Sequence, residues 1–82
     1  MSDVKVLLFG AAADRAGARQ TQVPVGDGAT LQDLWPALAH RHPGLADMRD
    51  ILAFAVNGEY ARMGDEVSPG DEVAVLPPVS GG

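Results

Sequence analysis

The sequence predicts a small α+β domain, with one main helix packed on one face of a small mixed sheet. Three observations predict it. Residues 4–9 (VKVLLF) and 72–76 (EVAVL) are β-rich and apolar on both faces, as strands in the middle of a sheet are. Between them, Leu31, Leu34 and Leu38 recur at helical spacing, with Trp35 beside them. Asn57-Gly58, set between two short apolar runs, is the dipeptide best suited to a type I′ hairpin turn.

Taken in order, the first strand places Val4, Val6 and Leu8 on one side and Lys5, Leu7 and Phe9 on the other. Gly10 ends it, and residues 11–17 (AAADRAG) read as a loop with a helical turn. Residues 19–25 alternate, putting Thr21, Val23 and Val25 on one face. Pro24 lacks a ladder donor and assigns this strand to a sheet edge. After Gly26-Asp27-Gly28, Thr30 caps a helix over about residues 31–41, with Asp33 completing a capping box. Pro36 leaves two starts open. With Thr30 as N-cap the proline lies inside the helix, at a cost of about 3 kcal/mol; with Asp33 as N-cap it falls in the first turn, where its missing N–H matters little.

Pro43-Gly44 stops the helix. Residues 45–52 form a short second helical piece with Leu45, Met48 and Leu52 facing inward. Residues 53–56 and 59–61 pair across Asn57-Gly58. Ser68-Pro69-Gly70-Asp71 has proline and glycine where a type II turn needs them. Strand, strand, helix, short strands and strand is the order of a ubiquitin-like β-grasp, in which the first and last strands lie side by side. The domain spans residues 1–76, and residues 77–82 form a flexible C-terminal tail ending in Gly-Gly. A single helix covers one face only. Leu7, Phe9 and Leu76 are then candidates for an exposed apolar docking face, unless loops and the 45–52 segment cover it.

Composition excludes several functions. Eighty-two residues hold one domain. With no cysteine, thiolate metal sites, disulfides and cysteine nucleophiles are all ruled out. Six basic residues against eleven acidic ones give a formal charge of -5, the wrong sign for nucleic acid, and a basic protein surface is the better partner. No apolar run approaches the roughly 20 residues of a membrane span, and no export signal stands at the N-terminus. The expectation is a soluble, cytoplasmic protein with no bound cofactor or metal.

His40 and His42 lie two apart and share no helix face, so they read as helix-end residues. Asp65-Glu66 and Asp71-Glu72 read as solvated carboxylates beside turns. Trp35 and Met48 read as core. Gly10, Gly17, Gly26 and Gly28 lack the spacing and the Lys-Ser/Thr of a phosphate loop.

The informative stretch is Pro77-Pro78-Val79-Ser80-Gly81-Gly82. Two prolines stop the sheet and hold the exit extended. Val79 offers one apolar side chain to a partner's pocket. Gly81 and Gly82 carry no side chains, so the tail can thread a narrow channel and present its carboxylate unshielded. A carboxylate has a poor leaving group for acyl substitution. Joining it to AMP supplies a good one, which a sulfur donor can displace to leave a thiocarboxylate on Gly82.

The chain resembles the small subunit of molybdopterin synthase, the MoaD family of ubiquitin-like sulfur carriers. The resemblance covers nearly the whole chain and rests on VKVLLFG at 4–10, ATLQDL at 29–34, AVNGE at 55–59 and GDEVAVLPPVSGG at 70–82. The last is the most specific, while the AAADRAG loop departs from the family's usual form. The resemblance implies that an ATP-dependent, ubiquitin-activating-like adenylyltransferase activates Gly82 and that a sulfurtransferase system makes the thiocarboxylate. The large synthase subunit then receives the tail in a heterotetramer of two small and two large subunits. Sulfur passes there to cyclic pyranopterin monophosphate (precursor Z) to form the molybdopterin dithiolene, with the main active site on the large subunit. Gly82 would carry the sulfur, Gly81 would give clearance, and Pro77, Pro78, Val79 and Ser80 would orient the tail. The alternatives are a sulfur carrier for thiamine, cysteine or tRNA thiolation, a ubiquitin-like protein modifier, and a plain binding module.

Overall fold

A computed structural model of the chain describes residues 2–77. The elements run β1 (Ser2–Leu8), α1 (Gly10–Ala16), β2 (Gln20–Val25), α2 (Leu31–Arg41), β3 (Ala53–Val56), β4 (Glu59–Ala61) and β5 (Glu72–Leu76). The five strands form one sheet in the order β2-β1-β5-β3-β4. β1 and β5 run parallel at its centre, with Val6 opposite Val73 and Leu8 opposite Val75, and the other pairs are antiparallel. β2 is an edge strand, so Pro24 gives up no bond within the sheet.

Alternation within the strands decides what is buried. Val4, Val6, Leu8, Val23, Val73 and Val75 point to one face and are almost wholly buried there, with Leu31, Leu34, Trp35 and Leu38 of α2 above them. Trp35 meets Phe54 edge to face, with ring centroids 5.8 Å apart, the arrangement that aromatic quadrupoles favour.

The start of α2 is decided for Thr30. Its Oγ1 accepts from the Asp33 N–H at 3.3 Å, and Asp33 Oδ2 accepts from the Thr30 N–H at 3.0 Å. Pro36 therefore lies inside the helix, where the Gln32 carbonyl loses its intrahelical donor. Burial of the Leu31, Leu34, Trp35 and Leu38 face offsets that loss.

Two segments differ from the sequence reading. Residues 10–16 are a seven-residue helix instead of a loop with one turn. Alanines favour the helix, Ala12 is fully buried, and Gly17 closes it in the left-handed conformation at φ 72°. The strand before it accordingly ends at Leu8, and Phe9 becomes the N-cap position. The second helical piece is two short 3-10 turns, Pro43–Leu45 and Arg49–Ile51. Leu45, Met48 and Leu52 face inward as expected. They join the same core as α2, so this segment leaves the opposite face of the sheet uncovered.

Both turns match their residues. Asn57 has φ 52° and Gly58 has φ 86°, as a type I′ hairpin needs. Gly70 has φ 90°, and the Asp71 N–H donates to the Ser68 carbonyl at 2.9 Å.

Candidate functional site: the open sheet face and the exit of the tail

The strand register places a row of side chains across the uncovered face. Leu7 is opposite Ala74, Ala74 is opposite Ala55, and Ala55 is opposite Tyr60. One step toward the C-terminal end of β5, Leu76 lies opposite Ala53. Phe9, just past β1 and 44% exposed, extends the same end. One step the other way the face is charged, with Lys5 opposite Glu72 and their side chains 3.9 Å apart. Both are about half exposed, so this ion pair adds little to stability. The face is thus graded, charged at one end and apolar at the end where the chain leaves β5.

Leu7 and Leu76 are half-buried and Phe9 is exposed, so the three docking candidates from the sequence share one end of one face. Pro77 is the only tail candidate among the described residues. Pro78, Val79, Ser80, Gly81 and Gly82 lie outside them.

Pro77 has a specific seat. The Phe9 N–H donates to the Val75 carbonyl at 3.2 Å, extending the β1–β5 pairing by one residue. Gly10 follows at φ 55°, and a Cβ there would lie 3.0 Å from Pro77 Cγ. The proline ring therefore packs on a glycine that holds a conformation disfavoured for other residues, which fixes where the chain leaves β5.

Sequence reasoning missed two contributors. Tyr60, 78% exposed, is the most exposed large apolar side chain among the described residues. The signal was available, because a two-residue turn at 57–58 pairs Val56 with Glu59 and hence Ala55 with Tyr60. Gly10 read only as a strand stop. Its contact with Pro77 joins residues 67 positions apart, which no local pattern discloses.

The polar residues set aside from the sequence have structural work. His42 Nδ1 lies 3.2 Å from the Ala16 carbonyl, tying the end of α2 to the end of α1, while its Nε2 is buried without a partner. Asp65 Oδ2 accepts from the Arg62 N–H at 2.9 Å. Asp71 Oδ2 accepts from the Ser68 N–H at 2.8 Å, and its Oδ1 accepts from the Asn57 amide at 3.1 Å. The acidic pairs beside turns are therefore not free solvated charges throughout, since one aspartate of each closes its turn. Among the described residues there is no cluster of three His, Asp or Glu side chains that could hold a metal ion. No helix among them is long and apolar enough to cross a membrane.

Comparison with known proteins matches this arrangement to a family. The model of the ThiS family matches residues 6–82. The molybdopterin synthase sulfur carrier subunit of Homo sapiens is 42% identical over 85 residues, covering 100% of this chain and 97% of the human protein. Small archaeal modifier protein 1 of Haloferax volcanii is 39% identical over 83 residues, covering 92% of this chain and 95% of that one. The crystal structure of SAMP1 from Haloferax volcanii superposes with a TM-score of 0.88 at 36% identity, over 98% of this chain and 99% of that chain. The complex of subunits 1 and 2 of molybdopterin-converting factor from Helicobacter pylori gives a TM-score of 0.67 at 23% identity, over 98% of this chain and 99% of that chain, a likeness of fold.

Proposed function

The chain belongs to the ThiS family of β-grasp proteins, and from that footing we infer that it is the sulfur carrier subunit of a molybdopterin synthase. The observation that carries the inference is similarity to proteins of that name, at 42% identity over 100% of the chain in the human relative and 40% over 96% in the Chlamydomonas reinhardtii one.

In this reading the folded domain is a handle and the tail is the reagent. Pro77, seated on Gly10, orients the tail together with Pro78, Val79 and Ser80; Gly81 gives clearance; Gly82 carries the sulfur. An adenylyltransferase uses ATP to join AMP to the Gly82 carboxylate, with pyrophosphate as the leaving group. A sulfur donor then displaces AMP and leaves the thiocarboxylate. The large subunit takes the charged tail, as the assembly of the Helicobacter pylori subunits supports. Two such transfers to cyclic pyranopterin monophosphate build the dithiolene, each returning Gly82 to a carboxylate. Pterin-binding and acid–base groups belong to the large subunit, and two carriers sit on a large-subunit dimer. Leu7, Phe9, Leu76 and Tyr60 form the docking face, whose apolar end meets the partner where the tail enters it. The cell compartment proposed is the cytoplasm.

The test is a transfer assay with the Gly82 thiocarboxylate form, the large subunit and the sulfur-free pterin precursor. Dithiolene should form in proportion to carrier consumed and be absent with the plain carboxylate. No product, with a large subunit active toward its own carrier, would move the chain to another sulfur-carrier pathway.

A second reading is supported by the similarity to small archaeal modifier protein 1. There Gly82 forms an isopeptide bond to lysines of target proteins. Conjugates of higher mass in cell extract, lost on removal of Gly81-Gly82, separate it from the first.

A further inference from the structure

Beside the tail exit, on the side away from Phe9, lies a cleft of about 370 Å³ between the Arg49–Ile51 turn and the β3–β4 hairpin. Arg49 and Arg62 line it together with Tyr60, Phe54, Ala53 and Asp50. Ala53 is opposite Leu76 on β5, so one wall of the cleft stands about 5 Å, one strand spacing, from the strand that bears the tail. Ile51, 53% exposed, flanks it.

The charge here runs against that of the molecule. The chain carries -5 overall, yet the cleft holds two arginines against the single carboxylate of Asp50. The ion pairs found among the described residues use Lys5 and Arg15, not Arg49 or Arg62. Both arginines are exposed, and each guanidinium can receive a carboxylate through two parallel N–H bonds. An exposed tyrosine lining one cleft with two arginines is also the composition of an interface hot spot more than of an idle surface.

We propose that this cleft docks an acidic segment of the large subunit, next to the opening that receives the tail. The proposal rests on the carrier reading above and adds to it a charged orienting contact that adjoins the apolar row at Tyr60. A chain with a net negative charge is steered toward basic surfaces in many orientations. A local patch of opposite sign beside the tail rewards the one orientation that brings it against acidic groups and penalises those that turn it toward basic ones.

The experiment is calorimetric titration of the large subunit with the full chain and with the double variant Arg49→Glu/Arg62→Glu, at two salt concentrations. Melting temperatures are measured first, and they should match because both side chains are exposed. The double variant should bind about ten-fold or more weakly at low salt, and its affinity should respond differently to added salt. Arg49→Lys/Arg62→Lys should recover part of the loss, since charge returns without the bidentate geometry. Equal affinity of wild type and charge-reversed chain, with the wild-type thiocarboxylate active in transfer, overturns this proposal and leaves the carrier reading standing. A wild-type thiocarboxylate that neither binds the large subunit nor yields dithiolene overturns the carrier reading, and this proposal with it.

Discussion

Asp71 shows how much a single side chain can do in a chain this short. It closes the turn at Ser68 and, through Asn57, ties that turn to the β3–β4 hairpin, while Asn57 Oδ1 accepts from the Glu72 N–H at 3.0 Å. The Ser68 N–H first, and then the Asn57 amide, hold the Asp71 carboxyl below its usual range. A depressed folded pKa means stability that is present above the unfolded value and is lost as pH falls through the folded one. Asp71→Asn, which imitates the protonated acid, should therefore melt below wild type at pH 7. The gap should close as pH drops below the ordinary carboxylate range, as thermal melts across pH would show. In the proposed reading Gly81 works at the same scale in the opposite sense, through the side chain it lacks. Gly81→Ala should slow adenylation or sulfur transfer while leaving the melting temperature unchanged. Normal single-turnover transfer by that variant would sink the threading argument.

At the scale of elements, the helical layer is built from one capped helix and several small pieces wedged beside it. Gly44 is where two pieces meet. A Cβ there would collide with the Arg15 carbonyl group at the end of α1, and backbone cannot give way as the end of a flexible side chain can. Gly44→Ala should cost about 1–3 kcal/mol, read from urea denaturation with an unchanged m-value. Pro36 is the reverse case. Its ring is exposed and removes a donor from the interior of α2, so Pro36→Ala should raise stability by about 1–3 kcal/mol in the same assay. The helix forms despite Pro36 because its cap and its buried leucines are both in place. The capping box and the leucine spacing were legible in the sequence, whereas the choice between Thr30 and Asp33 as N-cap was not. Either residue can cap, and burial of Leu31 in the shared core selects the longer helix.

For the whole molecule, the decisive fact is that both helices and the 43–52 segment bury their side chains in one core, on one side of the sheet. The other side is left with an apolar end from which the tail departs. In the proposed docking face, Phe9 is the residue that separates docking from folding. It occupies the N-cap position of α1 without any side-chain capping bond, while its ring is 44% exposed. Phe9→Ser should hold or raise the melting temperature, because serine can cap the helix. The same change should weaken binding to the large subunit by about ten-fold or more, measured by calorimetry.

The sequence by itself determined the β-grasp order, the central pairing of the first and last strands, both turns and the Gly-Gly tail. Each rests on a local signal: alternation, leucine spacing, φ-positive turn residues, or a proline stop. Tertiary structure alone decided the seat of Pro77 on Gly10. It also gathered Arg49 and Arg62 in one cleft with Ala53. Those arrangements come from strands and turns distant in the chain being packed edge to edge. Their positions depend on how the intervening segments fold back over the core, and no window of neighbouring residues contains that information.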